Sequence, residues 1–199
     1  MTHLHEKFPD THHDATSNTL FGFWIYLMTD AVMFAALFAT YAVLRGNTAG
    51  GPSGKELFSL SLAFTETFLL LTSLFTFSLA RLAMDKKDLK TMILWLVATF
   101  FLGAAFLGWI GAEMSALLAK GYSWQRSGFL SAYFTLVATH ALHVFVALLF
   151  MIVFAAQSLA WGFSEKVLRR FTCLQMFWSF SYLLWIFMFA IVYLKGAAT

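Results

Sequence analysis

The sequence contains little charge, few prolines and a single cysteine. Only 12% of its 199 residues are charged while 60% are hydrophobic, and this balance excludes an ordinary soluble domain. The lone Cys173 excludes an internal disulfide bond and a cysteine-rich metal site, so we interpret it as a small packing residue at the start of the last helix. No internal repeat and no paired glycine or proline breaks are visible, which argues against a secondary transporter.

Five apolar segments are long enough to cross a bilayer, which requires roughly 20 apolar residues per helix. They span residues 20–44, 57–82, 92–118, 129–157 and 173–194. The connecting loops are short, so neighbouring helices should run antiparallel. We therefore expect an all-α membrane protein in which residues 20–199 form one antiparallel bundle of five transmembrane helices.

Residues 1–19 are polar and acidic, and they lack the basic segment and short apolar core of a cleavable signal peptide. We expect them to form a disordered cytoplasmic tail. The four histidines of this tail could capture a metal ion, but their spacing is loose, so no metal site is predicted there.

Basic residues are distributed unevenly between the two sides of the predicted bundle. Of the 13 Lys and Arg residues, eight lie on the side of the N-terminus and the remaining five on the other. The eight are Lys7, Arg81, Lys86, Lys87, Lys90, Lys166, Arg169 and Arg170. Because basic residues accumulate on the cytoplasmic side, we expect a cytoplasmic N-terminus and a C-terminus on the far side. These charges lie in loops and helix ends, and they give no sign of a nucleic-acid partner.

Three acids and two histidines lie inside the predicted spans: Asp30, Glu66, Glu113, His140 and His143. A charge near the bilayer centre costs about 2.5 to 3.5 kcal/mol, so such side chains normally face other helices and have a partner. With a rise of about 1.5 Å per residue, Asp30, Glu66 and His140 all fall near mid-depth. We expect them to form one buried polar layer, with His143 one turn from His140 and Glu113 nearer the outer end.

This layer has several interpretations. It could fix the helix register through hydrogen bonds, or it could exchange protons or bind lipid. His140 and His143 lie one turn apart on one helix, so they cannot clamp a haem from opposite faces, although they could complete a site with another chain. Buried hydrogen-bonding histidines are the favoured interpretation, and no catalytic, cofactor or metal site is predicted in this chain.

Small residues recur every fourth position on the first and third predicted helices, and we expect these ridges to mark close helix contacts. They are Ala31, Ala35 and Ala39, and Ala104, Gly108 and Ala112.

Five stretches of the chain resemble subunit III of the haem-copper oxidases: "FGFWIYLMTDAVMFAALFATYAVL", "GNTAGGPSGKELF", "ETFLLLTS", "RSGFLSAYFTLVATHALHV" and "WIFMFAIVYL". The resemblance extends over residues 21–194 and is greatest to the five-helix form found in bacterial cytochrome bo ubiquinol oxidases. It implies a subunit without a redox centre that packs against catalytic subunit I, with subunits II and IV in the same complex. Haem b, haem o and copper would then lie in the catalytic subunit, in a bacterial inner membrane.

The resemblance also implies roles for particular residues. Asp30 stands where the family carries a carbodiimide-sensitive acid close to bound phospholipid, and Glu66, Glu113, His140 and His143 match family positions too. Ser179 and Tyr182 replace a family His and Asp, and Ile110 replaces an acid, so the polar layer should be thinner than in close relatives. Alternatives are a subunit of a cytochrome c oxidase or a nitric oxide reductase complex, or an independent proton carrier that uses Asp30, Glu66 and the histidines.

Overall fold

The computed structural model describes residues 15–50, 54–57 and 60–198. Those residues form helices joined by short loops, and five of the helices are long and apolar enough to cross a membrane. The helices are α1 Ala15–Leu44, α2 Gly54–Leu57, α3 Leu60–Asp85, α4 Leu89–Ala119, α5 Gly128–Trp161, α6 Glu165–Met188 and α7 Lys195–Ala198. A π-helical segment, Phe189–Leu194, joins α6 to α7. The predicted fold class, an all-α membrane protein with five spanning helices, is confirmed.

Local capping determines where several helices begin and end. Ser127 and Ser164 accept hydrogen bonds from backbone amides in the first turns of α5 and α6. α5 ends at Trp161, and the residue that caps it is Gly162, whose φ of 60° favours glycine. The cap at Ser164 starts α6 at Glu165, eight residues before the predicted span, because an apolar criterion omits its charged first turns. Cys173 is therefore inside α6 and buried, not at a helix start.

Other boundaries also differ from the prediction. α1 begins at Ala15, inside the segment expected to be a tail, and α3 begins at Leu60, three residues after the predicted start. The rest of the predicted tail, residues 1–14 with its four histidines, lies outside the described residues.

The spanning helices pack in three layers. α3 packs against α4, α5 against α6 in the middle, and α1 lies on the other side against α5 and α6. Many large apolar side chains outside these contacts are exposed, such as Val32 and Phe68 at 71% and 68%. A bilayer accounts for that exposure, because lipid covers an apolar helix surface as well as protein does.

The small-residue ridges do not mark the helix contacts. Ala35, Ala39, Gly108 and Ala112 are exposed, and α1 instead buries Leu27, Phe34 and Tyr41. These three residues recur every seven positions, which is the spacing of a left-handed helix seam. The tightest approach is at Gly103 on α4, where an added Cβ atom would lie 2.7 Å from the indole ring of Trp178.

Candidate functional site

Asp30 on α1 and His143 on α5 form a contact in the middle of the bundle, which we call the central pair. Asp30 lies 14 residues before Leu44 and His143 lies 15 residues after Gly128. At about 1.5 Å per residue, both are therefore about 21 to 22 Å from the end of the bundle where α1 terminates, which we call the C-terminal end. Asp30 Oδ2 and His143 Nε2 are 3.4 Å apart, and the side chains are only 13% and 12% exposed.

The hydrogen bonds of His143 determine which nitrogen faces Asp30. Its Nδ1 lies 2.8 Å from the carbonyl oxygen of Thr139, and because a carbonyl only accepts, Nδ1 donates. Nε2 is left to face the carboxyl group. One proton between Nε2 and Asp30 Oδ2 gives either an imidazolium–carboxylate pair or a neutral pair, and both carry no net charge. An acid in the middle of α1 is thereby tolerated without a Lys or Arg.

A second group of polar side chains, the carboxyl cluster, consists of Glu66 on α3, Glu113 on α4, Tyr133 on α5 and Tyr193 in the π-helical segment. The two phenol oxygens each lie 3.5 Å from a carboxyl oxygen of Glu113 and 3.3 Å from each other. Glu66 is fully buried beside Glu113. Among the described residues, neither oxygen of Glu66 has a partner in hydrogen-bonding geometry.

His140 and Trp185 lie between the central pair and the carboxyl cluster. His140 Nε2 donates to the carbonyl oxygen of Ser181 at 3.0 Å, and Trp185 Nε1 donates to Thr67 Oγ1 at 3.0 Å. The centroid of the Trp185 ring is 5.5 Å from that of His140 and 5.7 Å from that of Tyr193. Both side chains are fully buried, and their ring contacts connect His140 to Tyr193 of the carboxyl cluster.

The structure therefore divides the predicted layer in two. It brings Asp30 together with His143 and Glu66 together with Glu113, whereas the sequence analysis joined Asp30, Glu66 and His140. One reason is that α1 and α3 lie on opposite sides of α5 and α6. The other is depth, because the late start of α3 leaves Glu66 only six residues, about 9 Å, from the C-terminal end.

Sequence reasoning missed the partners of these acids. Tyr133 lies at the same level as Glu113, and the depth count applied to the carboxyl groups would have found it. Tyr193 depends on the π-helical segment, which changes the direction of side chains after α6 and has no signal in the apolar pattern. Of the two positions where this chain departs from the family on α6, Ser179 is exposed and Tyr182 is half-buried. Within the described part of the chain, no group of three or more His, Cys, Asp or Glu could hold a metal ion.

The fold and its paired polar groups define a multi-pass membrane protein whose ionisable side chains contact one another between helices. The family model for cytochrome c oxidase subunit III matches residues 4–197, so the chain belongs to that family. The predicted resemblance to haem-copper oxidase subunit III is confirmed.

Curated relatives cover almost the whole chain. Subunit 3 of cytochrome bo(3) ubiquinol oxidase from Pseudomonas aeruginosa is 50% identical over 188 residues, which are 94% of this chain and 90% of the relative. The subunit of the same name from Pseudomonas putida is 46% identical over 92% of this chain and 89% of its own length. A cytochrome c oxidase subunit 3 from Bacillus sp. strain PS3 is 39% identical over 90% of this chain and 86% of its own.

Proposed function

We propose that this chain is the non-catalytic subunit III of a bacterial bo-type ubiquinol oxidase, a complex that oxidises quinol, reduces oxygen and pumps protons. The observation that carries the proposal is the 50% identity to a subunit of that name over nearly the full length of both chains. Its partners would be catalytic subunit I, holding haem b, haem o and copper, together with subunits II and IV. In the inner membrane, the excess of basic residues favours a cytoplasmic N-terminus and a periplasmic C-terminus.

The subunit would stabilise the catalytic subunit and bind phospholipid. A cavity of about 480 Å³ supports the lipid part of this proposal. It lies at the N-terminal end of the bundle, between α1 and the first turns of α6, and opens beside the apolar rings of Phe23 and Phe150. Lys166, Arg169 and Arg170 line it. Three cations above apolar walls suit a phosphate headgroup with its acyl chains in the membrane.

The cations of this cavity are not neutralised by acids. Within residues 15–50, 54–57 and 60–198, no carboxylate lies within ion-pair distance of the three. Arg170 donates to Gln157 at 2.6 Å and lies over the ring of Trp161, which fixes its guanidinium group at the cavity. Phe177 packs on both Phe23 and His143, so the cavity and the central pair share one helix seam.

Lipid analysis of purified variants tests this role. Lys166→Gln/Arg169→Gln should lose tightly bound phospholipid from the complex, whereas Lys86→Gln/Lys87→Gln removes the same charge from another loop on the same side and should retain it. Asp30→Asn should insert normally but retain less lipid or lose activity over many turnovers. Equal phospholipid content in both double variants would contradict lipid binding in this cavity. Unchanged lipid content and unchanged activity in Asp30→Asn would contradict a role for Asp30 in lipid binding.

Purification through a tag on this chain tests the assignment of the complex. In mild detergent it should bring down a large haem-copper subunit, b- and o-type haem signals and ubiquinol oxidase activity. CuA or c-type haem signals would instead identify a cytochrome c oxidase, an alternative supported by the Bacillus relative. A nitric oxide reductase complex would be recognised by nitric oxide reduction.

An independent proton carrier is the remaining alternative. The chain alone in liposomes would then collapse a pH gradient, and Asp30→Asn would stop it. The separation of the acids speaks against a continuous relay, because Asp30 and Glu66 differ in depth along the helices by about 12 Å.

A further inference from the structure

Two carboxyl groups lie side by side at equal depth in the carboxyl cluster. Glu66 follows the start of α3 by six residues, and Glu113 precedes the end of α4 by six, so both lie about 9 Å from the C-terminal end. The two helices pack more extensively than any other pair. The packing of α3 against α4 therefore holds the two acids together, and their proximity does not depend on the rotamers of long side chains alone.

The two carboxyl groups have unequal surroundings. Glu113 is half-buried and both of its oxygens face a phenol donor, Oε1 towards Tyr133 and Oε2 towards Tyr193. Glu66 is 0% exposed, and its oxygens face Glu113 without a hydrogen-bond donor among the described residues. Donors stabilise a carboxylate, whereas a buried carboxyl group without them favours its neutral form.

The charges facing this site do not compensate two carboxylates. Each helix packed around it contributes an acid or a phenol: Glu66 from α3, Glu113 from α4, Tyr133 from α5 and Tyr193 after α6, with Tyr41 of α1 beyond Tyr133. No described Lys, Arg or His forms an ion pair with either acid. Neighbouring like charges in an apolar site cannot both remain ionised.

We propose that Glu66 and Glu113 form a proton-binding site that holds one proton on Glu66, while Glu113 is the carboxylate fixed by Tyr133 and Tyr193. The half-buried Glu113 is the route by which the proton exchanges with water at the C-terminal end. The site is distinct from the central pair, which lies about 12 Å deeper along the helices. The proposal does not depend on which oxidase contains the chain.

Infrared spectroscopy of the purified complex at neutral pH tests the site. The wild-type minus Glu66→Gln difference spectrum should contain the carbonyl band of one protonated carboxylic acid per complex, and this band should shift down in D2O. Glu113→Gln should keep the band but move it, because the neighbour of Glu66 changes from a carboxylate to an amide. Glu165→Gln, which removes an exposed carboxyl group at the start of α6, should lose no acid band.

The outcomes separate the possibilities. Loss of carboxylate bands alone in Glu66→Gln would overturn the proposal, as would loss of the acid band in Glu113→Gln but not in Glu66→Gln. If Glu66→Gln does not assemble, Tyr193→Phe tests the same site, because it keeps both acids and removes one hydrogen-bond donor to Glu113. It should move the carboxylate bands of Glu113 and the acid band of Glu66, and an unchanged spectrum would contradict the assignment.

Discussion

His143 contacts Asp30 through Nε2 at 3.4 Å while its Nδ1 donates to the carbonyl of Thr139 at 2.8 Å. The bond to Thr139 holds the ring on its own helix, so the remaining nitrogen can serve only the acid on α1. Apart from this ion-pair contact, Asp30 Oδ2 has no hydrogen-bond partner among the described residues. The contact therefore links α1, the least buried spanning helix, to the middle layer of the bundle.

Removing one member of this pair should have unequal effects. His143→Leu leaves the mostly buried carboxyl group of Asp30 without its ion-pair partner, and we expect a loss of about 1 to 3 kcal/mol in the stability of α1 docking. Asp30→Asn should cost less, because an amide is neutral and can still donate to Nε2. The amount of full-length chain in the assembled complex and its melting temperature measure both effects.

The double variant Asp30→Asn/His143→Leu is the control for the central pair. It replaces the unpaired carboxyl group by an amide, so it should recover part of the stability that His143→Leu loses. Additive losses would show that the two side chains stabilise the bundle independently, contrary to the contact described above.

The indole of Trp185 forms a hydrogen bond between α6 and α3. Thr67→Val removes the acceptor and leaves a fully buried indole N–H without it, which should lower stability by about 1 to 3 kcal/mol. The double variant Trp185→Phe/Thr67→Val should be little less stable than Trp185→Phe alone, because the bond is already lost. A double-mutant cycle on thermal unfolding of the complex measures this coupling. Coupling near zero would mean that the Trp185 ring acts by packing only.

The apolar pattern predicted the five spanning helices, because bilayer thickness imposes a length on every run and charge is rare inside it. Depth counting placed Asp30 near mid-depth together with His140, and the structure has Asp30 against His143, one turn further along the same helix. It misplaced Glu66, because an error of three residues at the start of α3 is about 4.5 Å of depth. The order of helices around the bundle was not encoded in the apolar pattern, so the partition of the acids could not be derived.

The close packing at Gly103 should be sensitive to a single methyl group. An added Cβ would lie 2.7 Å from Trp178 and 2.9 Å from the side chain of Leu148, so Gly103→Ala should destabilise the bundle by about 1 to 3 kcal/mol. Gly108→Ala is the matched control on the same helix, because nothing lies within 4 Å of its Cβ position. Melting temperatures of the two purified variants measure the difference. Equal values would mean that α4 moves away from α6 without cost.

Asp88 caps the exposed start of α4, and its stabilising effect on the first turn of that helix should depend on pH. Its carboxyl group accepts from the hydroxyl and the backbone amide of Thr91, and the hydroxyl bond is the main cause that holds the pKa of Asp88 below its usual value. A lowered folded-state pKa contributes stability that is present above about pH 4, the unfolded value, and is lost as the pH falls through the folded value. Hydrogen exchange in the first turn of α4, corrected for intrinsic rates, should therefore accelerate on acidification below about pH 4.

Variants of the cap separate the carboxyl group from its donor. Asp88→Ala should exchange faster at neutral pH and lose the extra acceleration in acid, because the titrating group is gone. Thr91→Val keeps the carboxyl group and its bond to the backbone amide, so it should retain a smaller pH effect, shifted towards higher pH. If acid accelerates exchange in Asp88→Ala as much as in the unchanged chain, another group controls the start of α4, and the short bond between Asp88 and Thr91 has no part in its pH dependence.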